Sequence, residues 1–274
     1  MSAKYGEITG FRPDRLVRSV AEAADRSYAY VLVTTKAIPE RVTTPAILKP
    51  LISSPYADKH PQPTYVFLQN GLNIEADLYH NITRLDAHIL EGIGQILSAG
   101  GTELTIVGEV QRLKFAKNFW NVSFSSFATL TQHRLPAIFR PPPTDPSSPY
   151  SPYVSPTTAD LIAKHTIPTI RATLQELLVL GRALGYPDDK DGLPASVVDD
   201  VIENTRKLHV VPESKHKPSM MLDVEKGLPI EVEVILGETV RMAQERGVSM
   251  PRVEMLYALL LVVQNQILAK AEEN

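Results

Sequence analysis

The apolar positions of the chain fall into two alternating patterns over its first hundred or so residues. Short continuous runs, rich in β-branched residues, occur at Tyr30-Val31-Leu32-Val33-Thr34-Thr35, Thr64-Tyr65-Val66-Phe67-Leu68 and Glu103-Leu104-Thr105-Ile106-Val107. Such runs predict strands buried on both faces. Between them the spacing changes to three and four. Arg12-Pro13-Asp14 opens a predicted helix carrying Leu16, Val17, Val20 and Ala24, and Thr44-Pro45 opens one carrying Ile47, Leu48, Leu51 and Ile52. A further helix is predicted over Leu85 to Ser98, with Ile89, Leu90, Ile93 and Leu97 on one face. Strands alternating with helices imply a parallel sheet with crossover helices, an α/β arrangement of about three strands. Lys114 to Thr131 is predicted to be a helix leading out of the sheet.

Eight of the 22 prolines lie between Pro136 and Pro156. Proline removes a backbone donor and fixes φ, so this stretch predicts a stiff connector or surface loop. The expected organisation is an α/β domain over 1–135, a proline-rich linker or loop over 136–156, and an all-α domain over 157–274. In that last part helices are predicted over Thr157 to Leu184 (kinked at Pro168), Ser196 to Leu208, Glu231 to Gly247, and from Pro251 to near Lys270.

Composition narrows the chemistry. The 274 residues are 43% hydrophobic and 22% charged with a formal net charge of -3, so no basic field attracts nucleic acid or an anionic membrane. Cysteine is absent, which excludes disulfides, thiolate catalysis and cysteine-bound metal. The longest apolar stretch, Met255 to Val263, falls well short of the roughly 20 residues a bilayer span needs. With no apolar leader segment in view, the expected location is cytoplasmic. The seven histidines show no metal-ligand spacing, so no metal is expected.

Open α/β sheets bind ligands at the carboxyl ends of their strands. The first strand ends in Thr35-Lys36-Ala37 and the second in Gln69-Asn70-Gly71. Lys36 and Asn70 are candidates for contact with a bound polar group, against the simpler reading of a solvated lysine and a turn. Lys117 and Asn121 form an i,i+4 pair within the most aromatic stretch of the chain, Phe115 to Phe127, which includes the only tryptophan, Trp120. Apolar neighbours would leave the Lys117 charge less screened. Ser219 and Glu231 stand twelve residues apart after His216-Lys217-Pro218. Taken alone they read as a helix cap and a first-turn acid.

Thr35-Lys36-Ala37, Gln69-Asn70-Gly71, Lys117 with Asn121, and Lys217-Pro218-Ser219-Met220 with Glu231 together resemble the ketopantoate reductase (2-dehydropantoate 2-reductase) family. The resemblance also takes in Gly247-Val248, Pro251 and Leu256-Tyr257-Ala258-Leu259. It is strongest over 112–132 and 209–262. It implies a nucleotide-binding domain, a helical domain and a cleft between them. Lys117 would be the general acid at a carbonyl oxygen, and Glu231 would orient that lysine or a substrate hydroxyl. Asn121, Ser219, His216, Asn70 and Trp120 would contact substrate, and Lys36 and Asn70 would lie near a nucleotide if one binds.

The family pattern begins with a strand, a G-x-G-x-x-G turn and a helix that binds pyrophosphate. Here Gly6 and Gly10 lack a preceding strand, and Gly92-Ile93-Gly94 sits in a helical pattern with Leu97 where the third glycine belongs. The expectation is therefore a truncated Rossmann-like domain without that glycine-rich unit, joined to a helical domain of the ketopantoate reductase type. No cofactor is expected, with NADPH as the alternative. The expected activity is redox-independent polarisation of a carbonyl on an apolar small molecule: cyclisation, cycloaddition, elimination or isomerisation, as in secondary metabolism. The alternatives are an NADPH-dependent reductase of a 2-oxo acid and a non-catalytic dimerisation module. The expected assembly is a homodimer.

Overall fold

The computed structural model describes residues 12–79, 87–105, 107, 110–145 and 147–273. Among these, β1 (Tyr30–Val33) and β2 (Thr64–Phe67) pair in parallel, with Tyr30 opposite Thr64 and Val33 opposite Phe67. The crossover consists of α2 (Thr44–Ile52) and α3 (Tyr56–Lys59). The Thr43 hydroxyl caps α2 by accepting from the Ala46 N–H, and Pro45 sits in the first turn where its missing donor costs nothing. This half has a small core of its own, Val33, Leu48 and Leu78.

Two sequence expectations change here. The first helix is only α1 (Val20–Ala23), and Leu16 is 88% exposed because no partner packs against it. The third strand is not formed. Residues 102–105 and 107 are irregular, Leu104 and Val107 are exposed, and residue 106 lies outside the described residues. The helix expected from Leu85 is α5 (Ala87–Ala99), residues 85 and 86 lying outside the description. α4 (Ala76–Tyr79) precedes it.

The larger core belongs to the helical half, although Ala37 and Leu72 from the α/β half join it. The segment expected to lead out of the sheet packs within that core. It comprises α6 (Gln111–Trp120), a π turn (Asn121–Ser125) and α7 (Ser126–Thr131), with Phe115, Phe119 and Phe124 fully buried. The stretch 136–156 is not a bare linker. It opens with the short helix α8 (Pro136–Phe139) and delivers Arg140, 1% exposed, into the protein. The Val154 N–H returns to the Arg140 carbonyl at 2.8 Å, and the Arg140 guanidinium lies 5.2 Å from the Tyr150 ring centroid. Proline lacks the N–H that a packed irregular segment must otherwise satisfy, so this loop closes on itself with few orphan donors.

Beyond it, α9 (Ala159–Leu161), a π turn (Ile162–Thr166) and α10 (Ile167–Ala183) run continuously. The kink expected at Pro168 is realised as that π turn, where the hydrogen-bond ladder shifts to spare the ring a clash. α11 (Val197–His209), α12 (Ser219–Glu225), a third π turn (Glu233–Gly237), α13 (Glu238–Glu245) and α14 (Pro251–Glu272) complete the fold. The Glu176 carboxylate accepts from the backbone N–H of Arg252 and Val253, capping α14 from a distant helix. α14 is long and apolar enough to cross a bilayer by composition, but Val253, Leu260, Gln264 and Ile267 are buried within the helical half.

Gly71 joins the two halves. Its φ of 100° is left-handed, and a Cβ there would stand 2.6 Å from the Val234 side chain. The adjacent Leu72 N–H donates to the Val234 carbonyl at 2.9 Å. Gly71→Ala adds both backbone strain and an overpacked contact, and is expected to cost about 1–3 kcal/mol. Urea unfolding of the variant against wild type checks this.

Candidate functional site

The Asn-Gly turn after β2 carries Asn70 against the helical half. Lys117 on α6 donates from Nζ to Asn70 Oδ1 at 2.9 Å, and Asn70 Nδ2 donates to Glu231 Oε2 at 3.2 Å. Three residues far apart in the chain thus form one polar line. The Asn70 amide is oriented by having an ammonium on its oxygen and a carboxylate on its nitrogen. Glu231 is 6% exposed, whereas Lys117 is exposed. That corrects the expectation of a Lys117 set among apolar groups. Phe115, Asn118 and Phe119 take the buried face of α6, leaving position 117 on its exposed face.

Asn121 stands one turn beyond Lys117, half-buried where the π turn begins. Trp120 is half-buried, its ring 5.6 Å from His216 and edge-on to it. His216 and Ser219 are exposed, Ser219 as the first residue of α12 after Pro218. Lys36 reaches across from the end of β1 and is ion-paired with Asp223 on α12. Sequence reasoning missed Asp223, whose only signal is its position one turn after Ser219. It also missed Gln69, whose Nε2 donates to the Thr35 carbonyl at 2.9 Å and locks the two strand ends together.

Behind Trp120 and His216 lies a buried pair. His209 is 0% exposed, its Nδ1 is 3.1 Å from Ser214 Oγ, and its ring is 5.4 Å from His216. Arg140 Nη2 donates to the Ser214 carbonyl at 2.8 Å. Burial, with His216 and Arg140 nearby, pushes the His209 imidazole down to about 4.

The fit to a dinucleotide is poor among the described residues. Lys36 is engaged by Asp223, and Asn70 by Lys117 and Glu231. Gly92 and Gly94 lie inside α5, with the Tyr30 hydroxyl against Gly92. Gly6 and Gly10 fall outside the description, so the described residues make no strand-to-helix pyrophosphate cradle. They also hold no cluster of three or more His, Asp or Glu suited to a metal.

The arrangement has relatives. The C-terminal domain of ketopantoate reductase (PanE/ApbA) matches residues 146–264. This helical half is thus similar to the C-terminal domain of the ketopantoate reductase family. An uncharacterised protein of Saccharomyces cerevisiae is 26% identical over 97% of this chain and 82% of its own length. The 2-dehydropantoate 2-reductase of a Nostoc species is 30% identical over 89 residues, 32% of this chain and 26% of that protein. Among solved structures, 2-dehydropantoate 2-reductase from Methylococcus capsulatus superposes with a TM-score of 0.71 at 22% identity, covering 97% of this chain and 84% of that one. A D-mandelate dehydrogenase in complex with NADH and anilino(oxo)acetate gives 0.64 at 13% identity, over 89% and 78% of the two chains. The family fold expected from the sequence, a reduced α/β part with an all-α partner, is the one observed.

The buried imidazole makes a pH prediction. Its folded-state pKa lies below the unfolded value near 6.5, so the neutral form stabilises the fold above that value. Stability is expected to fall as pH drops from ~6.5 toward ~4, at no more than about 1.4 kcal/mol per pH unit. Urea midpoints measured between pH 7 and 4.5 check this, and in His209→Gln that part of the slope should vanish.

Proposed function

We propose that the cleft binds a carbonyl-bearing small molecule and that Lys117 hydrogen-bonds its carbonyl oxygen, polarising it without a redox cofactor. The observation that carries this reading is the Lys117–Asn70–Glu231 line. An ammonium has three donors, and Asn70 takes one, leaving capacity for a substrate oxygen. As negative charge develops on that oxygen, the fixed cation stabilises it, by a few kcal/mol for one well-placed donor. Glu231 is close enough to the line to hold a substrate hydroxyl or receive a proton from the carbon next to the carbonyl. Keto–enol isomerisation is the simplest reaction these groups support, and cyclisation or elimination would use the same polarisation.

Trp120, with His216 against it, supplies an aromatic wall three residues along α6 from Lys117. Asn121 and Ser219 provide polar groups for the remainder of the substrate. An aryl 2-oxo acid suits this combination of wall, cation and polar rim. The relative that binds anilino(oxo)acetate supports the same substrate class.

Two measurements test the reading. In deuterium oxide, the protein should speed exchange of the C3 protons of phenylpyruvate above the buffer rate. Lys117→Ala should reduce that acceleration ~10–100-fold, the worth of one charge-assisted hydrogen bond. Fluorescence of the sole tryptophan should be quenched by anilino(oxo)acetate, because Trp120 stands in the cleft. A micromolar dissociation constant for NADPH would instead favour the second reading, an NADPH-dependent 2-oxo acid reductase, which the match of residues 146–264 to the C-terminal domain of ketopantoate reductase supports. A Lys117→Ala variant with undiminished exchange would overturn the role given to Lys117, and wild type with neither exchange above the buffer rate nor quenching would leave a non-catalytic module.

We extend the proposal to a homodimer. Met255, Leu259 and Val262 lie exposed along α14, an apolar stripe that a second copy would cover. Size-exclusion chromatography with light scattering should give about twice the 30.3 kDa chain mass.

A further inference from the structure

We infer that Gln264 is a positioning residue for the Glu231 carboxylate, and that Glu40 links it to the α/β half. The inference rests on the reading that Glu231 acts in the cleft. Gln264 sits midway along α14, where its buried companions Val253, Leu260 and Ile267 are apolar, and it is 2% exposed. A buried carboxamide costs free energy unless its groups are paired, and here both ends are. Its Oε1 accepts from the Ile230 N–H at 2.8 Å, and its Nε2 donates to the Ile230 carbonyl at 3.0 Å. One side chain therefore grips both polar groups of the residue immediately before Glu231. Pro229, with its fixed φ, stiffens the approach from the other side.

The same Nε2 lies 3.1 Å from Glu40 Oε1. Glu40 follows β1 by only a few residues, on the segment that also carries Lys36. Gln264 thus joins the backbone that presents Glu231 to the backbone that leaves the first strand. Any shift of the α/β half against the helical half is felt at this amide, and through Ile230 at the carboxylate holding Asn70. Catalytic residues owe their effect to placement within about half an ångström, so a grip one residue away acts on the rate.

The test compares Gln264→Met, which keeps length and removes all three hydrogen bonds, with Gln264→Glu, which keeps the acceptor alone. The first readout needs no ligand: the carboxyl-carbon resonance of Glu231 at pH 7, assigned by its loss in Glu231→Gln, together with exchange of the Ile230 amide. In Gln264→Met the Ile230 amide should exchange at least tenfold faster, and the Glu231 resonance should move toward that of an exposed glutamate. The second readout is phenylpyruvate exchange, where kcat should fall ~10-fold with KM changed less. Gln264→Glu should lie between wild type and Gln264→Met in both, and adding Glu40→Gln, which offers the new carboxylate a donor, should move it back toward wild type. A lower melting temperature with the Glu231 resonance and Ile230 exchange unmoved would overturn the inference. Should Gln264→Met not fold, the Gln264→Glu series decides by the same readouts. Absence of phenylpyruvate exchange in wild type would overturn the proposed function, while the resonance and amide exchange would still decide the role of Gln264.

Discussion

The contact on which the site depends is the docking of one tight turn onto one π turn. The Leu72 N–H reaches the Val234 carbonyl, and Gly71 allows the backbones to meet where a side chain would collide. A single backbone hydrogen bond contributes only about 1 kcal/mol net. Its leverage comes from position. Among the described residues the α/β half's own core cluster centres on Val33, Leu48 and Leu78, and Ala37 and Leu72 complete their burial in the helical half. Asn70 is the residue before Gly71, so its amide sits between Lys117 and Glu231 only while this turn is seated.

The intervening amide matters electrostatically. A lysine and a glutamate in direct contact satisfy each other, and the cation is then spent on its partner. With Asn70 between them, the carboxylate orients the amide dipole and the amide presents its oxygen to the ammonium. Lys117 keeps two ammonium donors unused by Asn70 and an exposed position on α6. The neighbouring cation on the same helix is compensated separately, since Lys114 pairs with Glu75 at 3.0 Å.

Much of the fold was legible in the sequence. The runs at Tyr30 and Thr64 became strands because each is β-branched, apolar and bounded by turn residues. The run at Glu103 has the same local character but finds no packed neighbour, so propensity alone did not make it a strand. The prolines after Pro136 hid a buried arginine, since composition reports where hydrogen-bonded helices stop and not which lone side chain is carried inside. Lys117, Asn70 and Glu231 were legible as a group only through family resemblance, because their separations of 47 and 161 residues carry no periodic signal. Asp223 and Gln264 were illegible for the same reason: their partners are chosen by tertiary contact.

The π turns at Asn121–Ser125 and Glu233–Gly237 lie against each other beneath the site. Each is one residue more than an α-helix needs, and each advances the chain beyond it by about 100°. Shortening the first alone would swing the small hydroxyl face of Ser126 and Thr129 out of its packing, and shortening the second alone would do the same to Thr239 and Val240. Each insertion therefore sets the phase of the helix that follows it. Deleting a single residue from either turn would re-aim a whole helix, a larger disturbance than replacing any one side chain upon it.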